Sequence, residues 1–415
     1  MNDHDVVIVG GGAAGLTLAH RLAGVNHPGG APVRVALLEP PLGPHTPPPR
    51  TWCFWEPDGG DWDDLLAARW RRLTVVGPDG ASRTAPADPF VYKMLRSTDL
   101  ESRVRSGFGG RVEPVPLLVE GVRDGADGAV VEGVMPDGSP ARLTASWVFD
   151  SRPPRPLPPG RTLLFQHFRG WFVRTPGDAF DPGAAVLMDF RPPQPENAVA
   201  FAYVLPLSAR EALVEYTEFG PAPLATAEYD RLLAAHCARL GLAGFEVTAA
   251  EQGVIPMTDA PLRPRAGRRV FRIGTAGGAT RPSTGYTFSG VLRQTAAVAR
   301  ALEHGRVPVP PVPHRRRHLA MDAVLLRALA TGRVRGAEFF TRLLAPDRLG
   351  DVLAFLDGGT RLPRELALGL RTPVGPMSLT ALDHLWYSAR TALTRDRGPA
   401  RPPTASPGAR RRPAR

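Results

Sequence analysis

Lysine is all but missing from this chain of 415 residues: Lys93 stands alone among 51 basic residues, and arginine supplies the rest. With 44 glycines, 46 prolines and abundant alanine, that skew reads as the coding bias of a GC-rich genome. The formal net charge of +11 therefore says little about a nucleic-acid partner, and no basic stripe interleaved with aromatics supports one. A membrane surface stays open. Cysteine is nearly as scarce. Cys53 and Cys237 stand far apart without CxxC or CxxH spacing, which excludes a disulfide framework and a zinc site and fits a reducing cytoplasm. No metal is expected.

Two further absences concern membranes. A secretory signal needs a basic stretch ahead of an apolar run, yet Asp3, His4 and Asp5 lead straight into Val6–Val9, so no signal peptide is expected. No run reaches the ~18 uninterrupted apolar residues of a spanning helix, the best candidates being broken by Arg or Asp. A lipid substrate would have to be reached from one face of the bilayer.

What is present divides by texture, in a chain longer than the ~100–200 residues of one typical domain. Residues 5–40 read as a βαβ unit, with a strand at Asp5–Val9, a helix at Ala13–Leu22, a loop at Asn26–Pro32 and a strand at Val33–Leu38. Its prolines make Pro40–Pro49 a loop that delivers the cluster Thr51, Trp52, Cys53, Phe54, Trp55 and Glu56. A helix near Asp99–Val104 and strands near Val112–Val122, Ala129–Val134 and Trp147–Phe149 end the first pass at Asp150-Ser151-Arg152. Period-two apolar runs at Leu163–Val173, Ala185–Phe190, Ala198–Leu205 and Ala212–Thr217 then predict an antiparallel sheet, interrupted by a helix at Thr226–Leu240. Val270–Ile273 is a strand feeding a Gly-rich turn and a helix from about Gly290 to Glu303. Past Pro308–Pro313, apolar residues in Leu319–Leu329, Ala337–Leu344 and Arg348–Leu356 follow helical spacing. From Gly398 onward, Pro, Ala and Arg with no larger aliphatic residue predict disorder.

Gly10, Gly12 and Gly15 form GxGxxG between the first strand and the first helix. In such a loop the first Gly permits a tight turn, the second lets the backbone approach a pyrophosphate, and the third brings helix against strand. The phosphates meet the free amides at the helix N-terminus, here Ala13 and Ala14. Glu39 ends the second strand where a carboxylate would accept both ribose hydroxyls of an adenosine. Strand, helix and acid agree on a dinucleotide. A second Gly-rich turn, Arg272-Ile273-Gly274-Thr275-Ala276-Gly277-Gly278, follows a strand far along the chain. A nicotinamide dehydrogenase has no need of that return, whereas two-domain flavin hydroxylases use such a segment to hold the ribityl chain and flavin ring. Many of those place Asp after the first Gly, where this chain has Thr275. FAD is therefore the expected cofactor, non-covalently held, with Arg96, Gly274, Pro282, Thr284, Gly285 and Tyr286 as further contacts. The expected fold is α/β. A Rossmann-type FAD-binding domain (1–155 and 263–305) carries an inserted antiparallel-sheet substrate domain (156–262), followed by a helical C-terminal region (306–397) and a disordered tail (398–415).

Several segments together resemble the lycopene cyclase family. They are Thr51 to Glu56, Val148-Phe149-Asp150-Ser151-Arg152, Gln166-His167-Phe168-Arg169-Gly170-Trp171, Met188-Asp189, Val214-Glu215-Tyr216-Thr217 and Gly253-Val254-Ile255-Pro256-Met257. The most specific is Gly277-Gly278-Ala279-Thr280-Arg281-Pro282-Ser283-Thr284-Gly285-Tyr286. The resemblance spans most of residues 5–305. It implies a lycopene β-cyclase, in which an acid protonates the terminal double bond of an acyclic end group and a neighbouring double bond attacks the cation. Loss of a proton leaves a β-ring, so product and substrate are isomers. It also implies reduced FAD acting without net electron transfer, NADPH serving only to reduce it, and lycopene or a related acyclic carotenoid as substrate. A cytoplasmic protein peripheral to the inner face of the cell membrane follows, with its oligomeric state open. Phe339, Phe340, Leu343 and Leu344, with Val352, Leu353, Phe355 and Leu356, are the expected membrane contacts, packing against the substrate domain being the alternative.

Glu215 is the expected acid, since it matches the first acidic position of the family's Glu-acidic-Thr segment. Tyr216 occupies the second acidic position, so either Glu218 stands in or the second carboxylate is dispensable. Proton donation to an alkene demands a carboxyl whose pKa an apolar pocket has raised; the plainer reading of Glu215 is an exposed residue on an edge strand. Trp171, Phe172, Tyr203 and Tyr216 are candidates to steady a cation through their π-faces, or ordinary core, as are Trp52, Phe54 and Trp55. His167 reads as a hydrogen-bonded packing residue. Two rival functions stay in view: an electron-transferring flavin enzyme on the same scaffold, either a monooxygenase or a reductase of isoprenoid double bonds, and a non-catalytic flavin- or lipid-binding protein.

Overall fold

The computed structural model describes residues 2–344 and 349–396, with side chains as far as Arg390. Arg348 and the tail expected from Gly398 lie outside the described residues. The first part of the chain runs β1 (His4–Val9), α1 (Ala13–Leu22), β2 (Val35–Glu39), β3 (Thr51–Glu56), β4 (Leu66–Trp70), β5 (Arg72–Val76), β6 (Ser82–Pro86), β7 (Val91–Arg96), α2 (Ser97–Ser106), β8 (Val112–Pro116), β9 (Leu118–Asp124), β10 (Ala129–Val134) and β11 (Pro140–Asp150). The middle adds β12 (Leu163–Arg174), β13 (Ala184–Asp189), β14 (Val199–Pro206), β15 (Glu211–Gly220), α3 (Thr226–Arg239), β16 (Glu246–Thr258), β17 (Val270–Arg272) and α4 (Phe288–Glu303). Helices close the chain: α5 (Arg316–Ala330), α6 (Gly336–Leu343), α7 (Leu349–Leu356), α8 (Leu362–Gly369) and α9 (Val374–Asp396).

Among the described residues the strands form three sheets. The first has the order β8-β2-β1-β11-β10-β9, with β17 also on β11. Val6 to Val9 of β1 are buried, as a central strand covered on both faces requires, and β1 runs parallel to β2 and β11. β17 joins β11 in parallel, so the second Gly-rich turn emerges beside the first. The second sheet, β16-β12-β15-β14-β13-β5-β6, is antiparallel except where β5 meets β13. The third is the small antiparallel sheet β3-β7-β4. This is the α/β architecture expected, with a parallel-cored dinucleotide-type sheet, an antiparallel sheet and a helical C-terminal region.

Two local readings need correction. The cluster Thr51 to Glu56 is a strand rather than part of the proline loop, because its aromatic and β-branched side chains find a partner in β7. Residues 72–86, placed in the first segment of the cofactor domain, instead form β5 and β6 at the edge of the second sheet. Their short runs, Arg72–Val76 and Ser82–Pro86, carry too few apolar residues to announce which sheet they join.

The second sheet is covered on one face by α3 and on the other by the C-terminal helices. The larger core joins Leu187, Phe190, Phe201 and Phe219 of the sheet side to Leu326, Leu329, Phe339, Phe340 and Leu353 of the helices. That overturns the membrane reading of 339–356: Phe339 and Phe340 are 3% exposed and Val352 and Leu353 are fully buried. Phe355 and Leu356 pack against the same core. Each such side chain contributes roughly 1.5–3 kcal/mol by leaving water. Exposed apolar side chains sit further on, among them Leu366, Leu370, Leu382, Leu385 and Trp386 on α8, α9 and the turn between them.

Candidate functional site

β1 delivers Gly10 in the left-handed region (φ +95°), and α1 starts immediately after Gly12. A Cβ on Gly15 would stand 1.8 Å from the Gly10 carbonyl oxygen, so helix and strand meet only because Gly15 has no side chain. Gly12 differs: a Cβ there would meet nothing within 4 Å. The open space lies at the helix N-terminus, where amides of Ala13 and Ala14 are unspent by the helix, and it fits a pyrophosphate. Glu39 reaches over this loop, its Oε1 lying where a Cβ on Gly11 would stand, and its Oε2 accepts a 2.5 Å hydrogen bond from Arg105 of α2.

The second Gly-rich turn lies against the same helix. A Cβ on Gly274 (φ +63°) would be 3.0 Å from the Ala14 Cβ. Gln294 of α4 ties the turn, accepting from the Gly274 N–H at 3.0 Å and donating to the Gly277 carbonyl at 2.8 Å. Further on, Arg281 is buried and donates through Nε to Asp322 of α5, which also accepts from Ser283 at 2.8 Å. Arg281 and Ser283 therefore fasten the turn to the helical region. Pro282 lies between them and is half-buried. Thr284 Oγ1, Gln166 Oε1 and Arg96 Nε are buried without a protein partner. Such groups are costly unless something else satisfies them, and Thr284 and Arg96 are among the residues expected to hold the flavin half, while Gln166 belongs to the substrate sheet.

Gly285 (φ +73°) abuts Gln166 of β12, which brings Tyr286 onto the antiparallel sheet. The Tyr286 hydroxyl is 3.5 Å from those of Tyr92 and Tyr203. The Trp55 ring meets the Tyr286 ring edge-on at 4.4 Å. Within this aromatic setting β15 places Glu215, opposite Tyr203 of β14 and Gly170 of β12. Glu215 is 9% exposed and accepts one hydrogen bond, from Thr217 Oγ1 at 2.8 Å. Burial foremost, then the charge of Glu251, push its pKa up to about 8 against the lowering effect of Thr217. A carboxyl so placed keeps its proton near neutrality.

Glu218 lies elsewhere. Successive strand residues point to opposite faces, so Glu218, three positions from Glu215, faces α3. There it accepts from the Tyr216 hydroxyl at 3.0 Å and stands 3.7 Å from His167 Nε2, whose Nδ1 is 2.7 Å from the Tyr229 hydroxyl. Burial raises the Glu218 pKa and lowers that of His167 to about 4. The expectation that Glu218 substitutes for Glu215 is thus corrected by the sheet between them. Tyr216 and Trp171 are on the α3 side too, Trp171 donating to Asp230 at 3.0 Å, and cannot face a cation beside Glu215. Tyr203 and Phe172 are on the Glu215 side. The cluster on β3 splits likewise, since Trp52 and Phe54 pack on Phe288 of α4 whereas Trp55 meets Tyr286.

Sequence reading missed Glu251 and Tyr92, and held Thr51 and Gly170 only within family segments, without a role. The Glu251 pKa is raised by burial, opposed by the hydrogen bond from Thr51 and the charge of Arg96. Arg96 also lies over the Phe172 ring at 4.7 Å. A cavity of about 450 Å³ opens beside these residues, lined by Thr51, Arg96, Phe172, Leu207, Ala250 and Glu251. A larger hollow of about 570 Å³, between α4 and the 56–61 turn, contains none of them. Among the described residues no group of His, Cys, Asp or Glu is arranged to hold a metal.

Comparison with known proteins places this arrangement. Residues 5–382 match the model of the family described as lycopene cyclase protein. The chain is 27% identical over 321 residues to the chloroplastic lycopene beta cyclase of Arabidopsis thaliana, covering 72% of this chain and 60% of that protein. It is 27% identical over 329 residues to the lycopene beta-cyclase of Pseudescherichia vulneris, covering 74% and 76%. The chain thus spans about 60% of the length of the plant relative. Among solved structures, a geranylgeranyl bacteriochlorophyll reductase-like protein from Thermoplasma acidophilum superposes with a TM-score of 0.61 at 13% identity, over 90% of this chain and 98% of that one. Aklavinone-11 hydroxylase, in a ternary complex with FAD and aklavinone, superposes with a TM-score of 0.55 at 18% identity, over 91% and 71%. At such identities the shared feature is the fold.

Proposed function

Because the chain belongs to the lycopene cyclase family, we propose that it closes the acyclic end groups of lycopene to β-rings, an acid-catalysed isomerisation with no net redox change. One observation carries this reading: Glu215, buried among tyrosines at the edge of the cofactor segment, has a pKa of about 8. Protonating an alkene needs an acid that still holds its proton at neutral pH yet sits where water does not compete for the cation. Glu215 is the proton donor. Tyr203, Tyr286 and Trp55 turn rings toward the same space, where negative π-faces steady positive charge by about 0.5–2 kcal/mol each. Proton loss from the cyclised cation completes an isomer of unchanged mass.

The cofactor assigned to the chain is FAD. Gly10, Gly12, Gly15 and the Ala13 and Ala14 amides would hold its pyrophosphate, Glu39 its adenosine ribose, and Gly274, Pro282, Thr284, Gly285, Tyr286 and Arg96 its flavin half. A flavin held there, once reduced with NADPH as the reductant, would supply negative charge to the site. The unpartnered Thr284 Oγ1 and Arg96 Nε and the open space at Gly12 support the fit.

A second reading, an electron-transferring flavoenzyme, is favoured by the structural likeness to the reductase-like protein. Expression in cells that accumulate lycopene separates the two. A cyclic product of identical mass supports cyclisation; a product heavier by oxygen or by hydrogens supports the rival, and bound flavin with unaltered lycopene supports a binding protein.

Peripheral membrane association at the inner, cytoplasmic face belongs to the same reading, because lycopene dissolves in bilayers and no described helix is long and apolar enough to cross one. With Phe339, Phe340, Leu343, Leu344, Val352 and Leu353 committed to the core, the contact surface moves to α8, α9 and the turn between them, whose exposed Leu366, Leu370, Leu382, Leu385 and Trp386 belong to a chain of net charge +11. Sedimentation with anionic liposomes, reduced by Leu382→Ser with Trp386→Ser, is the expected result. Undiminished sedimentation of that double variant would remove this surface from the account.

A further inference from the structure

Across the antiparallel sheet, on the face turned toward Tyr286, one row of neighbouring residues reads Glu251, Gly170, Glu215, Tyr203 on β16, β12, β15 and β14. Two carboxylic side chains therefore flank a residue that has no side chain. A Cβ built on Gly170 would stand 2.7 Å from the Leu213 Cδ1, 3.4 Å from the Glu215 Cβ and 3.5 Å from the Glu251 Cγ. Glycine interrupts a strand at a cost in stability, and here the missing side chain makes room for the Leu213 methyl group between the two glutamate side chains, so the neighbour between them is apolar and offers neither a hydrogen bond.

The two ends of the row are not equivalent. Glu251 accepts a 2.7 Å hydrogen bond from Thr51 Oγ1 and has the Arg96 guanidinium among its neighbours. Both favour a negative charge on it. Glu215 has only the Thr217 hydroxyl, and the other titratable groups that face it are Cys53 of β3, Tyr203 of β14 and Tyr286. Burial raises the pKa of each of these three, so they stay neutral and add no charge beside Glu215.

We propose that Glu251 is the ionised partner of Glu215, a positioning residue whose negative charge, held by Thr51 and Arg96 on the far side of Gly170, keeps the proton on Glu215. The proposal deepens the cyclase reading and rests on it for the use made of that proton. Two like charges in one apolar site cannot both persist, and the surroundings decide which of the two ionises. The β12–β15–β16 register then sets the proton on Glu215, the member nearer the tyrosines, before substrate arrives.

The test uses the purified full chain and needs no substrate. Infrared titration of the protonated-carboxyl band, identified by its loss in Glu215→Gln, gives the midpoint at which Glu215 ionises. In Glu251→Gln that midpoint should fall by a pH unit or more, while Glu251→Asp, which restores the charge, should bring it back. Thr51→Val should raise the protonation of Glu251 and lower the Glu215 midpoint in the same direction. An unchanged Glu215 midpoint in folded Glu251→Gln would overturn the pairing. So would a Glu215 band already absent at neutral pH in the unaltered chain. If the midpoint moves as expected but lycopene supplied in liposomes is never cyclised, the pair stands and the cyclase reading fails.

Discussion

The two faces of the antiparallel sheet each bury a glutamate beside tyrosines, and the comparison shows why burial alone does not make a proton donor. Glu218 is enclosed by its own fold: α3 covers it, the Tyr216 hydroxyl is spent on it, and His167, 3.7 Å away, is held in place by the Tyr229 hydroxyl. Glu215 has a single hydrogen bond and faces the turn that carries the unpartnered Thr284 and the end of the cofactor segment. Both carboxyls are pushed up by desolvation. What separates them is what lies opposite, and on one face that is another helix while on the other it is the junction with the dinucleotide sheet.

The largest effect expected is from emptying that junction. Gly12→Val should abolish bound flavin, and with it cyclisation, because the branched side chain fills the only fingerprint position with open space around its Cβ. The fold should survive, since the Glu218 face and the helical core are untouched. Flavin absorbance at the level of the unaltered protein in that variant would detach the Gly-rich loop from the cofactor. Next is pH. Cyclisation should be level below about pH 8, the Glu215 pKa, and decline about tenfold per pH unit above it. Glu218→Gln should leave that limb where it is; a displaced limb would bring the second face into the chemistry.

Stability should follow the same group with a definite sign. The folded-state pKa of Glu215 is raised from 4.5 to about 8, so its contribution is fully present below about pH 4.5 and is lost as pH rises through about 8. Glu215→Gln should therefore match the unaltered protein near pH 5 and exceed it near pH 9, by on the order of 2 kcal/mol after allowance for relaxation of the site. Denaturant unfolding at the two pH values checks it, and a variant that is less stable at pH 9 would contradict it. The smallest effect belongs to Glu218→Gln, which keeps an acceptor for Tyr216. About 1 kcal/mol of destabilisation or less is expected in the same measurement, with cyclisation changed only a few-fold.

How much of this was legible in the sequence depends on the range of each interaction. The loop at Gly10 to Gly15 and the strand runs from Leu163 to Thr217 are local patterns, and the structure places β1, α1, β12, β14 and β15 on them with boundaries shifted by a few residues. The site residues divide differently. Glu215 could be singled out within one strand, but that Glu218 faces away follows from strand alternation that the same residues already displayed. Glu251 could not be found that way, because its relation to Glu215 runs through β12, about 80 residues upstream in register, and no local pattern reports that pairing. The same holds for β5 and β6, whose place in the second sheet depends on β13 more than 100 residues later. Phe339 and Phe340 show the converse limit, since an amphipathic helix presents one apolar stripe to whatever covers it, and only tertiary packing distinguishes a core from a bilayer.

The most direct measurement sets Glu215→Gln and Glu218→Gln side by side, each purified with reducible flavin and supplied with lycopene in liposomes. Removing a general acid lowers the rate by about 10²- to 10⁴-fold, and for an alkene with no other acid beside it the upper end or beyond applies. Lycopene should accumulate uncyclised with Glu215→Gln and be converted with Glu218→Gln. Near-normal cyclisation by Glu215→Gln, or a loss confined to Glu218→Gln, would contradict the assignment of the donor to the face that meets the cofactor segment.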